Sequence, residues 1–259
     1  MTISGTIAAI WRHPIKGFTP EALARVTLDP RIGVPFDRAW AVENGSSGFD
    51  PSCPAHISKF RFVALAPIPR AAAIHTRLND ATGQLTASMA GQPDLVVNLS
   101  VPADCARFEA WLTIALGADA DGQLKVVQAP GHRFLDHPKG QVSITNLASV
   151  RALEAATGAP VGSRRLRGNI DVEGWPAFAE VDLAPGQRVR LGPVTARVLF
   201  PIQRCIAIHV NPDTAQRDLE LVPALMALTG HANCGVYVQV IDGGDVAIGD
   251  EAGVTAEWT

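Results

Sequence analysis

The chain of 259 residues lacks the features that mark several common protein classes. Its net charge of −3 provides no basic surplus, which argues against general nucleic-acid binding. No apolar run approaches the ~20 residues that a membrane-spanning helix needs. The N-terminal stretch MTISGTIAAIWRHP has no basic region followed by an apolar core, so it does not read as a signal peptide. We therefore expect a cytoplasmic protein that binds neither nucleic acid nor a membrane.

Several cofactor and catalytic motifs are also missing. The four cysteines form no Cys-x-x-Cys pair, which gives no support for a fused iron–sulfur or thioredoxin-type module. The chain contains neither G-x-G-x-x-G nor G-x-x-x-x-G-K-S/T, and it has no G-x-S-x-G elbow. Nucleotide-loop and serine-hydrolase chemistry therefore have no support, and we expect no use of pyridoxal phosphate. In a reducing compartment the cysteines are expected to be free thiols.

Short β-like segments separated by glycine and proline dominate what is present. Predicted strands include Thr6–Trp11, Arg25–Leu28, Arg38–Val42, Arg61–Leu65, Ala71–Arg77, Gln84–Ser88, Gln123–Val127, Asn169–Val172 and Glu180–Asp182. Helical spacing is limited to Ala103–Leu116, Leu147–Ala156 and Pro223–Leu228.

Two later segments, GQRVRLG and GDVAIG, enter and leave a short strand through glycine, as barrel strands often do. We predict an α+β, β-rich fold with a few short helices. An N-terminal β-barrel-like domain would occupy residues 1–100, and a second β-barrel would occupy residues 101–259.

The stretch FPIQRCIAIHVNPDT, Phe200 to Thr214, reads as a buried strand that runs into a turn. Arg204 and Cys205 stand side by side in it, and an extended chain would point Cys205 and His209 to one face. A nearby guanidinium favours the thiolate, the form that binds metal or attacks sulfur. A buried structural cysteine fits the same spacing, so both interpretations stay open.

Three further motifs carry candidate ligand-binding side chains. SRRLRGN, residues 163–169, places three arginines within four positions before Gly168, a pattern typical of an anion site or of a solvated loop. HPIKG, residues 13–17, ends the first strand with a lysine and a glycine, and FDRAW, residues 36–40, begins another with an Asp-Arg pair. Each of these two alone could be ordinary surface.

A zinc site is an alternative use of the cysteines. Four residues could supply nitrogen and sulfur ligands in tetrahedral geometry, although their spacing is not that of a standard finger or ribbon: Cys205, His209, His231 and Cys234.

Taken in order, HPIKG, FDRAW, RRLRGNIDVEG, QRCIAIHVNPDT with QRD, and GVYVQVIDGGDVAIGD resemble the motifs of the MOSC superfamily. That superfamily is named for the C-terminal domain of molybdenum cofactor sulfurase. The most similar branch has an N-terminal β-barrel and includes the mitochondrial amidoxime-reducing component and its bacterial relatives. The resemblance spans nearly the whole chain and implies that the second domain is a MOSC-type β-barrel.

The resemblance implies a molybdenum cofactor, Mo-molybdopterin, bound between the two units. Cys205 would be the catalytic residue and the thiolate ligand of the metal, and Arg204 beside it would help to hold the anionic cofactor and favour the thiolate. The other matching positions imply cofactor contacts for Lys16, Arg38, Ser143, Thr145, Arg167, Asn169 and Tyr237. A phosphate and a dithiolene call for such cationic and backbone donors rather than for a glycine-rich dinucleotide loop.

The function implied is the reduction of a small N-hydroxylated substrate, with electrons from a separate ferredoxin- or cytochrome-like protein. The alternatives are a sulfur carrier with a persulfide on Cys205, and a non-enzymatic cofactor-binding or storage protein. Two departures bear on the site. Gln203 stands where relatives often have a serine, and SCPAHISKF, residues 52–60, does not match the usual threonine-arginine-glutamine pattern. A substrate or cofactor contact is therefore expected to differ there.

Overall fold

The computed structural model describes residues 2–254, in which β-strands outnumber helices. Its fifteen strands are β1 Ile3–Arg12, β2 Glu21–Leu23, β3 Arg25–Leu28, β4 Ala41–Asn44, β5 His75–Asn79, β6 Gln84–Ser88, β7 Leu95–Val97, β8 Leu124–Val127, β9 Val142–Asn146, β10 Ile170–Glu173, β11 Arg188–Leu191, β12 Val194–Gln203, β13 Asn233–Asp242, β14 Gly244–Ala247 and β15 Glu251–Val254. The three α-helices of this described part are α1 Pro102–Leu116, α2 Leu147–Thr157 and α3 Leu221–Thr229. No helix within residues 2–254 is long and apolar enough to cross a membrane.

Seven strands form a closed barrel in the order β10-β9-β13-β12-β11-β15-β1, and pairing of β1 with β10 completes the ring. The neighbouring strands are antiparallel except for β9 and β10, which are parallel. Every second side chain of a strand points into the barrel and fills its interior. In β12, Val194, Ala196 and Val198 are buried, whereas Arg197 between them is exposed. The predicted β-rich class with a barrel and few helices is confirmed.

A second set of elements has its own hydrophobic core. The meander β5-β6-β7 and the pair β4-β8 belong to it, and α1 covers it with Phe108, Trp111 and Leu112. The spacing of these apolar residues predicted that buried face correctly, because residues three and four apart share one side of a helix. The predicted hairpin is also present, with Asn79 opposite Gln84 and Gly83 in the left-handed region.

The first three strands take part in sheets with C-terminal strands. β1 pairs with β10 and β15, and β3 pairs with β14. The side chains of β1 that point inward, including Ile3, Ile7 and Ile10, belong to the barrel core. The division into residues 1–100 and 101–259 stays a prediction, and the site described next draws on residues from both ranges.

Two predicted strands are wrong. Arg61 ends a turn of 3₁₀ helix that begins at Lys59, and Phe62 contributes only an isolated bridge to Glu43. The segment Glu180–Asp182 lies in a turn instead, where the Val181 amide donates to the Phe178 carbonyl over 2.9 Å. The fully buried Glu180 carboxylate accepts hydrogen bonds from Asn146 and Ser149.

Candidate functional site

A cavity of about 400 Å³ lies beside Cys205 and collects most of the residues singled out from the sequence. Its charge is unbalanced. Of the described residues that line it, six are lysine or arginine and one is a carboxylate: Lys16, Arg38, Lys59, Arg165, Arg167, Arg204 and Asp136. Such a wall attracts an anionic ligand. Among the predicted site residues, Thr145 and Asn169 are the two that do not line it.

Cys205 is placed at the cavity by the end of a strand. β12 stops at Gln203, and Ile206–His209 then forms a 3₁₀ turn, with the Ile208 amide donating to the Cys205 carbonyl over 3.1 Å. The extended conformation expected for this stretch is therefore wrong. The turn is pinned by burial of Ile208 and His209, which leaves the Cys205 thiol half-buried on the cavity wall.

Lys59 contacts the thiol and was missed in the sequence. Its Nζ donates to Cys205 Sγ over 3.0 Å, although the two residues are far apart in the chain. Burial lowers the pKa of Lys59, but Asp136 and then Cys205 outweigh it, so the pKa is raised. The one available signal was the departure of SCPAHISKF from the family pattern, which marked the segment without identifying the lysine.

Asp136, also unpredicted, balances part of the positive charge. Its carboxylate accepts from Lys16, and its side chain is 52% exposed within the concave surface. Desolvation by the surrounding cavity wall would raise the pKa of Asp136, but Lys16 and Lys59 hold it well below its usual range. Lys16 itself is buried and also donates to the Phe134 carbonyl over 3.0 Å. The carboxylate is thus ionised and fixes the Lys16 ammonium at the cavity.

A buried carboxylate, that of Asp37, holds Arg38 at the cavity. Asp37 is fully buried and accepts from Arg38 Nη1, from Arg133 Nη2 at 3.0 Å and from the His13 amide at 2.8 Å. Arg38 adopts a φ of 52° and donates from Nη2 to the Arg167 carbonyl over 2.9 Å. Burial would raise the pKa of Asp37, but the cation of Arg38 leads the groups that hold this pKa far below its usual range. The HPIKG and FDRAW motifs therefore form one rigid unit at this wall.

The guanidinium of Arg167 stands apart from the other cations of the cavity wall. No hydrogen bond or ion pair of its guanidinium is found among the residues described, and burial followed by repulsion from Arg38 lowers its pKa to about 10. Leaving a cation in such surroundings is costly. The position is suited to an anion that enters from outside the chain.

We expect Arg167→Met to stabilise the ligand-free protein by about 1–3 kcal/mol, because it removes a poorly compensated cation. We expect pyrophosphate to raise the melting temperature of the wild-type protein by binding at the Arg167 guanidinium, and the same change should abolish that rise. Urea unfolding and thermal melts measure the two effects. Arg31→Met, at a side chain 88% exposed, is the matched control and should change neither quantity. A destabilised Arg167→Met protein that still responds to pyrophosphate would contradict this assignment.

Ser143 and Asn169 form a support behind the cavity wall. Ser143 Oγ donates to Asn169 Oδ1 over 2.8 Å, and the backbone N–H of Asn169 donates to Ser143 Oγ over 3.1 Å. Asn169 also donates from Nδ2 to the Trp11 carbonyl. Thr145 is fully buried, and its hydroxyl has no partner within the described chain. Ser143 thus faces the cavity while the other two lie behind it.

Tyr237 and Arg204 complete the lining. Tyr237 lies opposite Ser143 in the β9–β13 register, packs against Phe200 at 5.4 Å between ring centres, and has its pKa raised by burial. Arg204 donates from Nε to the Cys234 carbonyl and from Nη1 to the Leu166 carbonyl. Its Nη2 is buried and has no partner among residues 2–254. One donor of Arg204 is therefore left for a ligand or a water.

The zinc interpretation is wrong. Within the described part of the chain, no three histidine, cysteine or acidic residues are grouped so that they could hold a metal. Cys234 is fully buried, and burial raises the pKa of its thiol to about 12. His209 uses Nε2 to accept from the Val222 amide over 3.1 Å. Cys234 therefore serves packing, and His209 serves local hydrogen bonding.

Two family models match nearly the whole chain. The MOSC N-terminal beta barrel domain covers residues 4–125, and the MOSC domain covers residues 131–252. The chain belongs to the MOSC superfamily. Its membership confirms the resemblance carried by the five motifs, and it relates the function of this MOSC protein to the molybdenum cofactor.

One curated relative matches about half of the MOSC protein. A molybdenum cofactor sulfurase from Drosophila grimshawi is 26% identical over 145 residues, which is 52% of this chain and 18% of that protein. The chain thus spans less than a fifth of the curated relative's length.

Among solved structures, the YuaD protein from Bacillus subtilis matches with 12% identity and a TM-score of 0.47, covering 100% of this chain and 99% of that one. YiiM from Geobacillus stearothermophilus matches with 20% identity and a TM-score of 0.34, covering 45% and 54%.

Proposed function

We propose that this MOSC protein binds Mo-molybdopterin in the cavity beside Cys205 and reduces small N-hydroxylated compounds, with electrons from a separate donor protein. The observation that carries the proposal is the presence of a half-buried thiol and the unpartnered Arg167 guanidinium on one cavity wall. A molybdopterin needs both a soft ligand for its metal and cations for its phosphate.

The donor set fits that cofactor in three respects. Lys16, Arg38 and Arg167 provide a fixed group of cations, and the unused Nη2 of Arg204 provides a further buried donor. Ser143 and Tyr237 add hydroxyl groups to the same lining. The sulfur of Cys205 is the natural metal ligand, since thiolates are preferred by softer metal centres.

The bound cofactor would supply the two-electron redox chemistry, which no side chain of the site can perform. The residues of the chain would hold the cofactor, orient it and shield it from water. The arginines fix the anionic end, Cys205 fixes the metal, and the half-buried site limits access of water. Asp136, held ionised by Lys16 and Lys59, attracts both ammonium groups and helps to hold them at the cavity.

Metal and pterin analysis of the purified protein tests the proposal. About one molybdenum per chain and the fluorescence of an oxidised pterin are expected after expression in a host that makes the cofactor. The loaded protein should then reduce amidoximes or N-hydroxylated bases with an artificial electron donor. A fully loaded protein that is inert across such a panel would refute the reductase activity, and a protein with neither metal nor pterin would refute cofactor binding.

A sulfur-transfer role is the second candidate, and the similarity to a molybdenum cofactor sulfurase favours it. In that role Cys205 would carry a persulfide, since a thiolate suits sulfur exchange as well as metal binding. Sulfane sulfur on Cys205 in a protein without molybdenum would support this function against the first.

A further inference from the structure

Lys59 has a single hydrogen-bond acceptor within residues 2–254, and that acceptor is the sulfur of Cys205. Asp136 is the carboxylate that attracts its charge, and an oxygen of Asp136 already accepts from Lys16. The Lys59 ammonium therefore gives its hydrogen bond to the Cys205 sulfur, while the charge of Asp136 is shared between Lys59 and Lys16.

The position of Lys59 is fixed by the fold. Ser58 caps the 3₁₀ turn that contains it, and Phe62 directly after the turn is buried. The next residue, Val63, donates from its amide to the Val42 carbonyl of β4 over 2.8 Å. The lysine thus projects from a short turn that is anchored to the rest of the fold. Its contact with Cys205 is therefore set by the backbone.

Arg204 does not duplicate this contact, although it is the neighbour of Cys205 in the sequence. Two of its guanidinium nitrogens are used by the carbonyls of Cys234 and Leu166. The cation that contacts the sulfur is instead Lys59, which lies in the segment SCPAHISKF, residues 52–60, that departs from the family pattern. Hydrogen bonds to a cysteine sulfur withdraw electron density from it and change the potential of a metal that it binds.

We propose that Lys59 is a positioning residue that acts on the Cys205 sulfur, lowering its electron density and raising the reduction potential of the centre that Cys205 ligates. Only the effect on the reduction potential rests on the proposed function. The action of Lys59 on the sulfur also exists in the metal-free chain. A cation beside the sulfur stabilises the more negative, reduced form of such a centre. Removing the cation therefore lowers the potential.

The first test uses the metal-free protein at one fixed pH. Cys205 is modified with an anionic disulfide, dithiobis-nitrobenzoate, and with neutral dithiodipyridine, and each rate is followed at Cys205 by mass spectrometry. The ratio of the rate with the anionic reagent to the rate with the neutral one cancels the thiolate fraction, since the same Cys205 thiolate attacks both reagents. Lys59→Met should lower this ratio by about 3- to 5-fold, as expected for partly exposed charges. Lys59→Arg should keep it, and Lys125→Met, at an exposed lysine of β8, should not change it.

The second test is a redox titration of the molybdenum-loaded protein. Lys59→Met should show a lower midpoint potential, and Lys59→Arg should remain close to the wild type. An unchanged rate ratio would overturn the action on the sulfur, and a changed ratio with an unchanged potential would overturn the electronic role. If the wild-type protein takes up no molybdenum, the proposed function fails, while a reduced rate ratio still supports the action of Lys59 on Cys205.

Discussion

Cys205→Ser is expected to reduce the turnover of N-hydroxylated substrates by more than about 100-fold, because changes one shell away from a metal already cost 10- to 100-fold. A serine hydroxyl is harder and far less acidic than a thiol, so it is a poor replacement as a ligand for a softer metal. The fold should tolerate the change, since Cys205 is half-buried at a strand end and belongs to none of the hydrophobic cores. The measurements are turnover with an artificial donor and molybdenum per chain.

Cys105→Ser is the matched control. Cys105 is likewise partly buried and carries a free thiol, but it lies on α1, and its sulfur donates to the Leu99 carbonyl over 3.3 Å. That variant should retain both metal and turnover. If Cys205→Ser were as active and as rich in molybdenum as Cys105→Ser, the thiol could not be the ligand.

Local patterns predicted those parts of the fold that depend on neighbouring residues. The apolar spacing of α1 and the turn residues before Gly83 each specify a structure within a few positions. Closure of the barrel could not be predicted in this way, since β1 and β10 are about 160 residues apart. The periodicity of a strand does not indicate which strand it pairs with. The buried side chain of Glu180 was hidden for a related reason, because its hydrogen-bond partners Asn146 and Ser149 come from β9 and α2.

The candidate site divides in the same way. Lys16, Arg38, Arg167 and Cys205 each lie in a short motif that could be matched, and all four line one cavity. Lys59 and Asp136 lie in segments without such a motif, and their importance comes from contacts across the fold. A single sequence states which residue types are present, whereas the pairing of an ammonium with a distant thiol is a property of the folded chain.

Gly17→Ala is expected to destabilise the protein by about 2–5 kcal/mol, from backbone strain and overpacking together. Gly17 follows the buried Lys16 and has a φ of 93°, a conformation that glycine adopts freely and alanine does not. A Cβ at this position would lie 2.3 Å from the Val63 carbonyl oxygen and 2.9 Å from the Ala64 Cα. Both are backbone atoms, so no rotation of a side chain can relieve the overlap.

Gly91→Ala separates the two contributions, since Gly91 has a φ of 83° but no atom within 4 Å of the position that an added methyl group would occupy. It should cost only the conformational strain, about 1–2 kcal/mol, and urea unfolding followed by circular dichroism compares the two variants. Relief of the overlap at Gly17 must move either Lys16 or the Val63 backbone that follows the Lys59 turn. Gly17→Ala should therefore also weaken the pyrophosphate response, which Gly91→Ala should leave intact. Equal stability of the two variants would mean that the close approach of Gly17 to Val63 does not constrain the cavity wall.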